Sequence, residues 1–379
     1  MEIQKGVIMS STDKIGNIEA IFLILTIMIN HIILNLPKGL ISFSGSATIL
    51  NILFMIIIIL LLTYLVCSLL KHFPGLDILD ISGFLGGKKL KYTIGALFMI
   101  YFLFTGGIFL RSFCESVKII YFQETPVIYL IVLLIIGIIL CNRLGTKAII
   151  KANFIFMPII LFSIFFIFFA NIENLNIQQI FPILGNGISP TFFSGISNLF
   201  SFSGFALLYF LPPNLKDLKQ FHKVAFTSMV LSGIWLLFSI ATLLFLFPSV
   251  AITEEIVPLY LAARFIEFGR FFQRLDTIFL LIWIISMVSY LSIIVAFISN
   301  IFKKLTNFKY QYITIYVFSA LLFITSLIPK NLAEIHFLET TVYKYIVLFF
   351  VFGISLLVLI FATIKYRKQC KLKGDVLID

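Results

Sequence analysis

The sequence predicts an all-α membrane protein with ten transmembrane helices. Of its 379 residues, 61% are hydrophobic and only 12% are charged, and the mean hydropathy is +1.12. A typical soluble domain has about 45–50% apolar and about 25% charged residues, so one soluble core could not bury these side chains. The apolar runs are too continuous for barrel strands, whose side chains alternate between lipid and lumen. This composition argues against a soluble enzyme, a nucleic-acid-binding domain and a disordered chain.

Ten segments are long and apolar enough to cross a membrane as helices, which need about 20 such residues each. In chain order they are 17–41, 47–70, 92–120, 126–142, 148–171, 191–212, 223–247, 275–302, 311–329 and 341–365. Lipid offers no hydrogen-bond partner to a free backbone amide, so each span is expected to be helical. Between the seventh and eighth spans, the outer segment from Glu254 to Arg274 is predicted to be an interfacial helix, or else a lid or a partner-docking surface.

The basic residues predict the orientation of the chain. With a cytoplasmic N terminus, twenty Lys and Arg residues lie on the cytoplasmic side and eight on the outer side. Cytoplasmic loops carry the excess of basic residues, so both termini are predicted to be cytoplasmic. A chain that starts in the cytoplasm and crosses the membrane five times ends on the outer side. Residues 14–171 and 188–366 would therefore form two five-helix repeats of opposite topology, an arrangement known among transporters.

The first span has polar residues and a proline where a helix could break. Asn30 and His31 lie near its middle, and Pro37 follows. Proline removes a backbone hydrogen bond, and an Asn side chain can bond to nearby backbone in place of the helix ladder. One interpretation is a break at Asn30 and His31 that presents backbone groups to a ligand. The other is a kinked helix whose Asn and His bond to neighbouring helices.

The sixth span has a second weak point at the equivalent place in the other half. Phe200, Ser201, Ser203 and Gly204 lie in its middle. Small residues also permit close helix packing, which is the alternative interpretation. Two interrupted helices would place partly charged helix ends in one cavity, and such ends suit a zwitterion such as an amino acid. The sequence therefore predicts a ligand site between these two spans.

The third and eighth spans provide candidate walls for this site. They contribute Tyr101, Thr105, Ser286 and Tyr290. Aromatic rings with polar tips can cover a small ligand, although packing is the commoner role of a single tyrosine. His31 is the only titratable residue that we place deep in a span, which argues against a proton-driven pump. No catalytic residue, metal ligand set or cofactor site is predicted.

Four segments carry a family pattern, in the same order and spacing over essentially the whole chain. They are Leu110–Lys118, Glu124–Pro126, Phe181–Gly187 and, most specifically, Pro258–Trp283. This pattern resembles the spore germination permease family, the B subunits of GerA-type nutrient germinant receptors in the amino acid–polyamine–organocation superfamily. The resemblance implies a leucine-transporter-like 5+5 inverted repeat in the spore inner membrane. It also implies a nutrient ligand, commonly an amino acid, and two partners, an A subunit and a C lipoprotein subunit.

The chain departs from the family pattern at both weak points. Asn30 and His31 stand where the family often has Gly and other small residues, and Ala206 stands where it often has an acidic residue. Three functions are therefore compared: a receptor subunit that binds a nutrient, an amino acid permease that transports it, and a structural subunit or a water or ion conduit. The resemblance favours the receptor.

Overall fold

Helices make up nearly all of the chain in the computed structural model, which describes residues 14–266 and 275–375. The first half contains α1 (Asn17–Ile33), α2 (Leu36–Ser44), α3 (Thr48–Leu70), α4 (Ile78–Tyr121), α5 (Val127–Arg143) and α6 (Thr146–Ala170). A π turn (Ser189–Phe193) then leads into a 3-10 helix (Ser194–Tyr209). The second half continues with α7 (Phe221–Leu246), α8 (Ser249–Glu254), α9 (Pro258–Arg264), α10 (Leu275–Thr306), α11 (Gln311–Ser326), α12 (Leu332–Phe337), α13 (Tyr343–Val347) and α14 (Ser355–Asp375).

The apolar helices coincide with the predicted spans. Among the described residues, seven helical stretches are long and apolar enough to cross a membrane, and three shorter apolar helices accompany them. The long stretches are Leu36–Leu70, Ile78–Tyr121, Thr146–Ala170, Ser189–Tyr209, Leu218–Leu246, Asp276–Thr306 and Leu332–Cys370. The shorter helices are Asn17–Ile33, Val127–Arg143 and Tyr312–Ser326. The all-helical membrane architecture is thus confirmed, while the two-repeat division and the orientation stay predictions.

The first span is interrupted, but one turn later than the sequence predicts. Helix α1 ends at Ile33, Leu34 has non-helical dihedral angles (φ −77°, ψ −129°), and α2 begins at Leu36. Pro37 lies in the first turn of α2, where a missing N–H costs nothing. The predicted break at Asn30 and His31 is therefore wrong, because both residues lie within helix α1.

The sixth span is irregular where the sequence places its weak point. A 16-residue 3-10 helix is unusually long, since the hydrogen-bond geometry of this helix is poor. Its ladder is disturbed at Phe202 (φ −96°, ψ 34°), between Ser201 and Ser203. The last span contains two π-helical segments that the sequence did not predict, Leu338–Val342 and Leu348–Ile354.

Helix α1 is the centre of the bundle. It contacts α6, α7, α10 and the 3-10 helix 194–209, and every residue from Leu23 to Ile33 is buried. A helix that is apolar and buried on all sides belongs in the core of a bundle. The polar residues Asn30 and His31 are therefore enclosed by protein, where each needs a hydrogen-bond partner.

The outer segment is only partly described. Helix α9 ends at Arg264, and residues 267–274 of the predicted outer segment lie outside the described residues. Asp276, at the start of α10, accepts hydrogen bonds from the hydroxyls of Tyr260 (3.0 Å) and Tyr121 (3.3 Å). This buried carboxylate therefore joins α4, α9 and α10 at one end of the bundle.

Candidate functional site

Three hydroxyl groups from three different elements surround the imidazole of His31. Its Nε2 lies 3.0 Å from the hydroxyl of Tyr290, and its Nδ1 lies 3.0 Å from Oγ of Ser203 and 3.4 Å from the hydroxyl of Tyr343. The ring also stacks on Phe109 with 4.0 Å between centroids. A neutral imidazole donates through one nitrogen and accepts through the other, so these partners satisfy it without a charge.

Asn30 forms a second link between α1 and α10, one residue earlier. Its Nδ2 donates to Oγ of Ser286 (2.9 Å), to the Ser286 carbonyl (3.3 Å) and to the carbonyl of Thr26 (2.8 Å). Its Oδ1 is buried and has no hydrogen-bond partner among the described residues. A buried acceptor without a partner is expensive, so this oxygen could accept a hydrogen bond from a ligand.

Tyr101 and Thr105 are buried on the α4 side of the same cluster. Tyr101 faces the hydroxyls of Thr105 and Tyr343. Phe200 is also a neighbour of Tyr343, with 6.2 Å between the two ring centroids. The structure thus gathers eight predicted residues around one polar core. These are Asn30, His31, Tyr101, Thr105, Phe200, Ser203, Ser286 and Tyr290.

The other two predicted residues, Ser201 and Gly204, have no hydrogen bond to the polar core among the described residues. Oγ of Ser201 donates to the carbonyl of Asn198 in its own helix (2.6 Å). Gly204 lies against α1, where an added Cβ would be 3.1 Å from the carbonyl oxygen of Ile24 and 3.1 Å from Cγ of Met28. The packing interpretation therefore applies to Gly204, because its missing side chain lets the two helices approach closely.

A small cavity lies beside His31. Its volume is about 10 Å³, close to that of a single water. The lining residues are His31, Asn35, Leu36, Gly39, Phe109, Phe200, Glu339, Thr340 and Tyr343. In the described conformation this cavity is therefore too small to hold a complete amino acid.

Sequence analysis missed a buried carboxylate in this cavity. Glu339 is 4% exposed, and its Oε2 accepts a 2.6 Å hydrogen bond from Nδ2 of Asn35 at the break between α1 and α2. The predicted last span begins only at residue 341 and leaves Glu339 out, so His31 is not the only titratable residue enclosed here. The polar run from Glu339 to Thr341 beside an apolar span was the available signal.

The fold is that of leucine-transporter-like membrane transporters. A substrate-bound, outward-open Na⁺-coupled sialic acid symporter matches with a TM-score of 0.66 and 13% identity, over 96% of this chain and 92% of that one. Mhp1, a nucleobase-cation-symport-1 family transporter in a closed conformation, matches with a TM-score of 0.60 and 11% identity, over 87% and 75% of the two chains. At such identities the likeness concerns the fold alone.

The sequence is similar to spore germination proteins. Spore germination protein KB of Bacillus subtilis (strain 168) is 26% identical over 233 residues, which is 60% of this chain and 62% of that protein. Spore germination protein YndE of the same strain is 24% identical over 95% of this chain and 99% of its own length. Protein XB of Bacillus anthracis is 22% identical over 75% and 79% of the two chains. The family model described as "Spore germination protein" matches residues 14–335. This chain therefore belongs to the spore germination protein family.

Proposed function

We propose that this chain is the nutrient-binding B subunit of a spore germinant receptor. The observation that carries the proposal is the convergence of hydroxyl groups on His31, just before the break between α1 and α2. In transporters of related architecture, interrupted helices form the substrate site at the repeat interface. The role is one of binding and signalling, with no catalysed reaction.

The two helix ends at the break favour a small zwitterion such as an amino acid. The last carbonyls of α1 and the first N–H groups of α2 have no partners within their own helices. Carbonyl groups suit an ammonium group, and N–H groups at a helix start suit a carboxylate. The polar core adds the free Oδ1 of Asn30 as an acceptor.

The proposed ligand site comprises the eight residues of the polar core. Tyr101 and Tyr290 form side walls, and Phe200 covers the end that lies against Tyr343. Ser201 and Gly204 support the site indirectly. Ser201 bonds to the backbone of its own 3-10 helix, and Gly204 lets that helix approach α1 closely.

The proposed setting is the spore inner membrane, with both termini in the cytoplasm and repeats at 14–171 and 188–366. The A subunit and the C lipoprotein subunit are the proposed partners. Family membership and the excess of basic residues in the predicted cytoplasmic segments support this setting.

A germinant screen tests the receptor function directly. Spores that lack this gene are compared with wild-type spores for their response to single amino acids, sugars and nucleosides. We expect one nutrient or class of nutrients to lose its effect, and the gene restored in trans should recover it. An unchanged response to every nutrient would contradict the proposal.

The transporter-like fold makes an amino acid permease the second candidate. Proteoliposomes that contain only this chain are incubated with external radiolabelled amino acid. Uptake well above that of empty liposomes would favour the permease, whereas saturable binding without uptake would favour the receptor. Absence of binding to the purified chain would favour a structural subunit or a conduit.

A further inference from the structure

Glu339 lines the cavity and has one carboxylate oxygen without a hydrogen-bond partner among the described residues. Its Oε2 accepts a hydrogen bond from Asn35, and the Ser112 hydroxyl also lies beside the carboxyl group. Its Oε1 is buried and has no hydrogen-bond partner among the described residues. Burial of an ionisable group without full hydrogen bonding is costly, and such groups inside membrane helices are typically functional. This oxygen is therefore available to a donor that enters the cavity.

The surroundings of this oxygen have the chemistry that recognises an ammonium group. Phe109, Phe200 and Tyr343 line the same cavity as Glu339, which places three aromatic residues and a carboxylate around one small space. Aromatic faces attract cations, and hydrogen bonds between ionised partners are about twice as strong as neutral ones. A volume of about 10 Å³ holds a group of the size of water or ammonium but no complete amino acid.

A neighbouring lysine forms no hydrogen bond with this carboxylate among the described residues. Lys38, on α2, lies within electrostatic range of Glu339. Its Nζ instead donates to the carbonyl oxygen of Glu255 at 3.0 Å. Lys38 thus moderates the negative charge of Glu339 and leaves Oε1 open to another donor.

We propose that Glu339 binds the ammonium group of an amine-bearing nutrient, at the end of the site formed by the helix break. This inference rests on the proposed receptor function and specifies the class of its ligand. The ammonium group enters the small cavity, and the rest of the ligand extends toward His31 when the site opens. Nutrients without an ammonium group, such as sugars and nucleosides, would leave Oε1 unsatisfied and bind poorly.

Equilibrium binding to the purified full-length chain in nanodiscs tests the proposal. The probes are the twenty L-amino acids, the deaminated carboxylate of each, glucose and inosine. We expect at least one amino acid to bind, and its deaminated carboxylate to bind at least about tenfold more weakly, as expected for loss of one hydrogen bond to a charged group.

Two variants separate binding from folding. Glu339→Gln keeps the shape and removes the charge, so it should weaken the amino acid at least about tenfold and change its deaminated carboxylate less than about twofold. Glu334→Gln, five residues earlier on α12, is the matched control and should behave as wild type. The ratio of the affinities for the amino acid and for its deaminated carboxylate, measured on the same protein sample, does not depend on the fraction of protein that is folded.

Three outcomes would overturn the inference. The first is equal amino acid affinity of wild type and Glu339→Gln. The second is equal weakening of the amino acid and its deaminated carboxylate, which would show that Glu339 only anchors Asn35. The third is binding of glucose or inosine alone, which would leave the receptor function standing. Failure of every probe to bind would count against the receptor function as well.

Discussion

At the scale of the residue, His31 connects α1 to the elements around it. Its two ring nitrogens reach Tyr290 on α10 and Ser203 on the 3-10 helix. Networks of this kind are strong when complete and costly when one member is removed, because the remaining groups are buried without partners. The stability of the site should therefore depend on the imidazole more than on any single hydroxyl.

Substitution His31→Leu should lower stability more than Tyr290→Phe. The first leaves the hydroxyls of Tyr290 and Ser203 unpaired, at about 1–3 kcal/mol each, and the second leaves only Nε2 of His31 unpaired. The midpoint of thermal unfolding of the purified proteins in detergent measures the difference. Equal midpoints for the two variants would contradict the bond between His31 and Ser203.

Gly204 should be intolerant of even one added methyl group. In Gly204→Ala the new Cβ would press on Met28 and on the carbonyl of Ile24, and overpacking of this kind costs about 1–3 kcal/mol. Gly137→Ala in α5 is the control, since its Cβ would have only an ordinary 4.0 Å contact with Val288. Thermal unfolding should separate the two variants, and equal loss in both would contradict close packing at Gly204.

Sequence alone predicts local properties well and long-range contacts poorly. Continuous apolar runs predicted the helices, and Ser201, Ser203 and Gly204 predicted the irregularity near Phe202. The break in the first span was misplaced because Asn35 is held by Glu339, a contact across 304 residues that no local pattern contains.

Two residues of the site, Tyr343 and Glu339, were not predicted from the sequence for a similar reason. Glu339 lies within a π-helical segment at 338–342 in the last span and Tyr343 directly follows it, and this irregularity affects which side chains face the core. Tyr343 then contacts His31, Phe109 and Phe200, each on a different element. Contacts of this kind depend on tertiary packing and cannot be derived from the spacing of residues along one helix.

At the scale of the element, Lys304 connects the end of α10 to the start of α4. Its Nζ lies 2.6 Å from Oδ2 of Asp77 and 2.5 Å from Oδ2 of Asp80. Asp77 also caps α4 by accepting hydrogen bonds from the amides of Leu79 and Asp80. The lysine thus neutralises two carboxylates that lie close together in partly buried surroundings.

Lys304→Met should be markedly more damaging than Lys91→Met. Loss of Lys304 leaves two neighbouring carboxylates without their main counter-charge, which we expect to cost about 2–3 kcal/mol after allowance for partial exposure. Lys91 forms a single, longer ion pair with Asp80 at 3.2 Å, and Asp80 keeps Lys304 when Lys91 is lost. The loss of Lys91 should therefore cost less than about 1 kcal/mol. Unfolding midpoints of both variants provide the comparison, and a reversed order would refute this account of the ion pairs.

At the scale of the whole molecule, the main untested property is orientation. Lys89 and Lys309 are exposed in segments predicted to be cytoplasmic, and Glu254 is exposed in the predicted outer segment. Single cysteines at these positions report which side of the membrane each one faces. Cys141 and Cys370, which are the less buried native thiols, should first be replaced by Ser.

Impermeant thiol reagents on intact cells should label Glu254→Cys and spare both Lys89→Cys and Lys309→Cys. The excess of Lys and Arg on the predicted cytoplasmic side is the reason for this expectation. Labelling of all three after membrane disruption is the control for reactivity. The opposite pattern on intact cells would reverse the topology and remove the basis for the inverted repeats.

The small size of the cavity beside His31 affects how much nutrient the protein needs before it responds. A minor open conformation typically makes up about 0.1–10% of a two-state protein, and the apparent affinity falls by the same fraction. With one molecule in a hundred open, half-occupancy would require a hundredfold more nutrient than the open site itself needs. The packing around a cavity of about 10 Å³ would thus set a concentration threshold, so that traces of nutrient leave the protein unresponsive.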